Sequence, residues 1–311
     1  MTETEYFEDF NRYYNKAKRL QEANLAKKKI SVDDPLMDNV SIYDTVNRRY
    51  AGFSNMLQDL WHGSKSPKCP KPEFDHIFWH DETWFYTFLT HRITGSGASF
   101  SHDHGYRNTV LPELAEFDTV DPMKNHIRHI ERPIFTSIGN QIPPFNKPVH
   151  PYKTGGKMYL CEYADKIAKD FLKYLKKQKG KIGIQQGVDE ICKIQKSYNH
   201  KQFHFVLTAF IMDLAEYFPH FIDQESPCYY GKNAKDCMDM LWEEKGQYNK
   251  KMELLCAHHN AHPYDMEDVL CDYIRYIENY VPKGYEHLTL EQVTHNSLIK
   301  NHNKHQSYVS K

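Results

Sequence analysis

The sequence predicts a predominantly α-helical protein built from many helices. Apolar residues recur at three- and four-residue spacing through most of the chain, and few runs of β-branched residues alternate as a strand would require. No internal repeat interrupts that pattern, and 311 residues with 40% hydrophobic content are enough to bury a sizeable core. Forty basic residues stand against 41 acidic ones, for a net charge of -1. Overall charge therefore announces neither nucleic acid nor membrane, although a basic face can hide inside a balanced total. The 19 histidines and 14% aromatic content are unusual, and both residue types serve ligand sites as well as ordinary cores.

In chain order, residues 7 to 29 read as an amphipathic opening helix that ends in the solvated cluster Lys27-Lys28-Lys29. A second helix is expected from Ser41 to His62, capped at Ser41 or Asp44 and turning Tyr43, Val46, Tyr50, Phe53, Met56, Leu57 and Leu60 inward. Gly63 to Pro72, rich in proline and small residues, then breaks the pattern as a linker. It divides an N-terminal helical segment (1–72) from a larger helical domain (73–290), which a polar tail (291–311) follows. Phe74 to Ile93 is an aromatic helical run. Asp121-Pro122 reads as a cap and first residue of the next helix, and Pro133 to Pro148 as irregular apolar backbone.

Tyr152 to Lys157 is a glycine turn before a long helix from about Met158 to Lys179, whose terminal lysines oppose the carbonyl dipoles. A buried helix is centred on Phe203 to Phe218 and stops at Pro219. Asn233 to Leu255 reads as one helix or two, and Ala257 to Pro263 as a histidine-rich loop. The helix beginning near Asp265 places Asp268, Asp272 and Arg275 on one stripe, with Val269, Leu270, Tyr273, Ile277 and Tyr280 toward the core.

Seven scattered cysteines without a Cys-x-x-Cys pair argue against a disulfide framework. The N-terminus lacks the basic start and apolar centre of a secretory signal, and no run is long enough for a membrane span. A cytoplasmic location is the expectation.

The densest chemistry lies between Phe88 and Asn108. There Gly95 and Gly97 can turn backbone amides toward an anion, Ser96, Ser99 and Ser101 add hydroxyls, and His102, His104 and Arg107 add charge. The stretch matches neither a Walker loop nor a dinucleotide fingerprint. Cys256, His258, His259 and His262 form a single cluster, as do His102 and His104, whereas structural zinc draws on paired knuckles. Lys147, Lys153 and Lys157 could follow a phosphate chain. The Asp268, Asp272 and Arg275 stripe reads either as a surface ion-pair ladder or as a general base steadied by a cation.

Arg92 to Phe100 with His104-Gly-Tyr-Arg-Asn108, Phe135-Thr-Ser-Ile-Gly-Asn-Gln-Ile-Pro-Pro-Phe145, and Glu267 to Tyr276 together resemble the DNA-base hypermodification enzymes of bacteriophages. These are the amino acid:DNA transferases and the α-glutamyl/putrescinyl-thymine pyrophosphorylases. The resemblance covers about residues 74 to 280. Where the family often carries Glu and Lys in the last motif, this chain has Asp272 and Arg275, which keeps the charges and shortens the acid's reach.

The resemblance implies a helical fold similar to that of DNA glycosylases and activity on double-stranded DNA carrying an activated base. An amino acid or other amine would displace pyrophosphate from 5-pyrophosphoryloxymethyluracil. The implied chemistry falls to Asp272, Glu267, Arg107 and His104. Phosphate or substrate contacts fall to Arg92, Thr94, Gly95, Ser96, Gly97, Ser99, His102, Tyr106, Asn108, Asn140, Gln141, Lys157 and Arg275. The flipped base would stack on Phe100, Tyr106 or Phe145. A divalent cation such as Mg2+ beside the pyrophosphate suits this chemistry, though no ligand set identifies itself. The alternatives are a glycosylase-like base-processing enzyme and a non-catalytic DNA-binding protein.

Overall fold

The computed structural model describes residues 5–51, 54–62, 77–94, 110–132, 134, 147–199, 204–281, 285 and 287–295. Among these the chain is predominantly helical, and its only strands are β1 (Ile182–Gly183) and β2 (Ile222–Asp223), paired in parallel. Two compact units divide it: residues 1–52 with 230–311, and residues 53–229. This grouping differs from divisions at 72 and 290, because residues 1–52 fold with about the last quarter of the chain.

In the first unit, α1 (Glu5–Leu25) buries Tyr6, Phe10, Tyr13, Tyr14, Ala17 and Leu20, spaced three and four apart. It ends before the lysine cluster, since Lys27 turns left-handed at φ 55°. Asp34 caps α2 (Pro35–Asn39) by accepting from the Met37 amide, with Pro35 in the first position. The expected helix from Ser41 to His62 is instead two 3-10 turns, Ser41–Tyr43 and Arg48–Tyr50, followed in the second unit by α3 (Asn55–His62). Gln21 of α1 explains the break: its Oε1 accepts the Val46 and Asn47 amides at 3.0 and 2.9 Å, and an α-helix would send those amides to carbonyls four residues back.

The C-terminal part supplies α11 (Lys232–Trp242), α12 (Tyr248–His259) and α13 (Pro263–Ile277), numbered after the helices of the second unit. Asn233 to Leu255 is thus a pair of helices. His258 and His259 belong to the last turn of α12 and not to a loop. Helix α13 buries Val269, Leu270, Tyr273 and Ile277 as its spacing requires, while Tyr280, past the helix end, is 43% exposed. Two buried acids bind α1 and α2 to α13. Asp9 accepts the Tyr273 hydroxyl at 3.0 Å, and Asp34 accepts Tyr276 at 2.6 Å and Lys16 at 3.1 Å. A 3-10 turn, Leu290–Val293, closed by a Thr289–Gln292 capping box, packs on α2.

In the second unit α4 (Asp81–Thr94) is buried on every side from Thr83 onward, polar His91 and Arg92 included. It packs against α8 (Asp165–Lys176) and α10 (His204–Tyr217) through Phe85, Phe88, Phe171 and Phe210. The short α5 (Leu111–Leu114) precedes α6 (Val120–His129), which starts at Val120, so Pro122 is its third residue. The long helix starts earlier than expected. Thr154 caps α7 (Gly155–Tyr159), and a wider π-type turn, Leu160–Ala164, leads into α8. An unanticipated helix, α9 (Ile184–Ser197), lies against α10. A Cβ on Gly187 would stand 3.0 Å from Ile211 of α10, so glycine lets the two helices approach closely.

Candidate functional site

The described members of the expected site fall into two groups, one in each unit. In the first unit, Glu267, Asp268, Cys271, Asp272 and Arg275 line α13, because steps of three and four residues return to the same side of a helix. Asp272 accepts from Arg275 Nη1 at 2.6 Å, and the two side chains are 17% and 27% exposed. Asp268 lies 3.7 Å from Arg48 Nε, and Asp265 accepts the Arg48 amide at 2.9 Å. Glu267 is 6% exposed, and its Oε1 accepts from the Gly231 amide at 3.0 Å and from Cys271 Sγ at 3.5 Å.

Burial decides the protonation of both carboxyls. It lifts Glu267 to about 7, with Asp268 pushing the same way and the Gly231 amide and Arg48 opposing. It lifts Asp272 to about 7 as well, against the pull of Arg275 and with a smaller push from Asp268. Two acids on one helix can therefore exchange protons near neutrality.

Gly231 holds Glu267 at the start of α11. A Cβ there would meet Glu267 Oε1 at 3.1 Å, so Gly231→Ala should push the carboxyl off the backbone amide. We expect a stability loss of about 1 kcal/mol in urea unfolding. Carboxyl NMR should show Glu267 titrating above its wild-type midpoint, since a donor to the carboxylate is weakened. An unchanged midpoint would mean that this amide does not set the acid's affinity for protons.

In the second unit Arg92 is 1% exposed at the end of α4 and forms a two-pronged ion pair with Asp213 of α10. Thr94, also buried, donates its hydroxyl to the Thr90 carbonyl at 2.8 Å. Lys157 of α7 is 4% exposed and donates to the Ile130 carbonyl; burial and then Lys153 lower its pKa. These three side chains were expected on a phosphate and are instead engaged inside the protein. Gly95, Ser96, Gly97, Ser99, His102, His104, Tyr106, Arg107, Asn108, Asn140 and Gln141 lie outside the described residues.

Sequence reasoning overlooked Arg48, Gly231 and Asp213. Asp213 left a usable signal, a lone acid within the apolar run Phe205 to Leu214, which implies a buried partner. Gly231 and Arg48 left none, being distant in sequence from α13. Among the described residues no group of three or more His, Cys, Asp or Glu stands where it could hold a metal ion, and no helix is long and apolar enough to cross a membrane. No family model, curated protein or solved structure matches the chain.

Proposed function

We propose that this protein is a transferase that modifies thymine-derived bases in DNA, replacing the pyrophosphate of an activated 5-hydroxymethyluracil with an amino acid or another amine. One observation supports the reading most: Glu267 and Asp272 sit on one helix with carboxyls that burial raises to about 7. An amine reaches the enzyme as an ammonium and must lose a proton before it attacks. The C–N bond then forms as the C–O bond breaks, the electron pair leaves with pyrophosphate, and the proton passes to the carboxylate. An ordinary surface carboxylate is too weak a base for this step, whereas one titrating near 7 is matched to it. Arg275 keeps the anion of Asp272 in place.

The resemblance of the segments around Arg92, Phe135 and Glu267 supplies the substrate class. The test is mass spectrometry of nucleosides from pyrophosphate-activated DNA incubated with the protein and candidate amines, with pyrophosphate release followed in parallel. Expected is a new amine-bearing thymidine in step with released pyrophosphate. An abasic site would point to a glycosylase, and unaltered nucleosides with DNA bound would point to a non-catalytic binding protein.

A further inference from the structure

Residues 166–181 hold seven lysines and one acid in a chain whose net charge is -1. They run along α8 and the turn after it. At ~3.6 residues per turn, Lys166, Lys169, Lys173, Lys176 and Lys177 fall within about a 100° arc and extend over ~17 Å. Every one is exposed, as are Lys179 and Lys181 beyond the helix end. The opposite face of α8 buries Ile167, Ala168, Phe171, Leu172 and Leu175, so the row is fixed on a packed helix.

Compensation within the protein accounts for only part of this charge. Lys169 pairs with Asp165 at 3.2 Å and lies 4.0 Å from Glu82, and Lys176 pairs with Asp81 at 2.9 Å. Asp170, the single acid in the stretch, accepts the Tyr198 hydroxyl at 2.7 Å. Lys166, Lys173, Lys177, Lys179 and Lys181 have no carboxylate within 4.0 Å among the described residues. A helix C-terminus presents only about half a negative charge, far less than five cations.

We infer that this ridge binds the phosphate backbone of duplex DNA. From Lys166 to Lys176 the cations recur every ~4.5–6 Å along a packed helix, which suits a regular row of phosphates. A membrane surface is the weaker fit. None of the exposed large hydrophobic residues lies on α8, so nothing on the ridge would enter a bilayer. The inference rests on the proposed function in taking DNA as the polyanion, and it adds where the backbone lies.

The test measures binding of the full chain to an unmodified 20-base-pair duplex by fluorescence anisotropy between 50 and 200 mM salt. The variant is Lys173→Ala/Lys177→Ala/Lys181→Ala, and Lys28→Ala/Lys29→Ala/Lys250→Ala is the charge-matched control. Each lost phosphate contact lowers the slope of log affinity against log salt by about 0.9, so the ridge variant should lose about 2 to 3 from the slope and at least ~10-fold in affinity. The control should bind like the wild type. Circular dichroism of both variants should match the wild type, because all six lysines are exposed. Wild-type slope in the ridge variant, an equal loss in the control, or a loss confined to anionic phospholipid vesicles would overturn the inference. A wild type that binds duplex through the ridge but transfers no amine overturns the proposed function alone.

Discussion

Asp213→Ala is expected to cost about 3–5 kcal/mol of folding stability, the largest loss foreseen for a single side chain in the second unit. The reason is asymmetry. At 1% exposure the Arg92 guanidinium cannot reach water without local unfolding. Removing its partner therefore leaves a charge in the core, whereas removing both partners together need not. Arg92→Met with Asp213→Leu should recover most of the loss, because apolar replacements of similar size often equal or exceed a buried ion pair. Urea unfolding followed by tryptophan fluorescence measures this directly, as Trp61, Trp79 and Trp84 all belong to this unit. A loss below about 1 kcal/mol in Asp213→Ala would show that the pair holds little.

The same pair shows what could be read from the sequence and what could not. Helical class and most helix positions follow from spacing, because the identity of a buried face is written locally every three or four residues. Helix α13 is the clearest case: Val269, Leu270, Tyr273 and Ile277 are buried and the charged stripe is where the period puts it. What failed was decided at a distance. The stretch from Ser41 to His62 has helical spacing, yet Gln21, more than twenty residues earlier, takes the Val46 and Asn47 amides. The resemblance placed Arg92 on a phosphate, and its observed partner lies 121 positions away. Helix α9 was not expected; within it Gly187 serves close packing on Ile211, a contact made with another helix and not written in the local pattern. The joining of residues 1–52 with 230–311 leaves no compositional trace.

Asp272→Asn should abolish most amine transfer while making the protein more tolerant of alkaline pH, and the two effects share one cause. Asn keeps the shape but cannot take a proton, so turnover should fall by ~10²–10⁴-fold, the usual worth of a positioned base. Wild-type turnover should rise with pH through about 7 as Asp272 ionises, and the residual rate of the variant should lack that rise. For stability the sign is opposite to that of a salt-bridged surface acid. Burial raises this carboxyl above its unfolded value, so between about pH 4 and about 7 the native state holds a proton that the unfolded chain has released. Wild-type stability must then decline as pH rises through that window and stay low above it. Asp272→Asn removes one of the two groups responsible, and Glu267→Gln should remove much of the remainder. Unfolding free energies from urea titrations at pH 4.5 and pH 8 test this, with a smaller gap expected in each variant than in the wild type. A variant that keeps turnover within about threefold of wild type would remove Asp272 from the chemistry. An unchanged gap would mean that its carboxyl titrates as in the unfolded chain, and the proposed transfer would then have to take its base from Glu267.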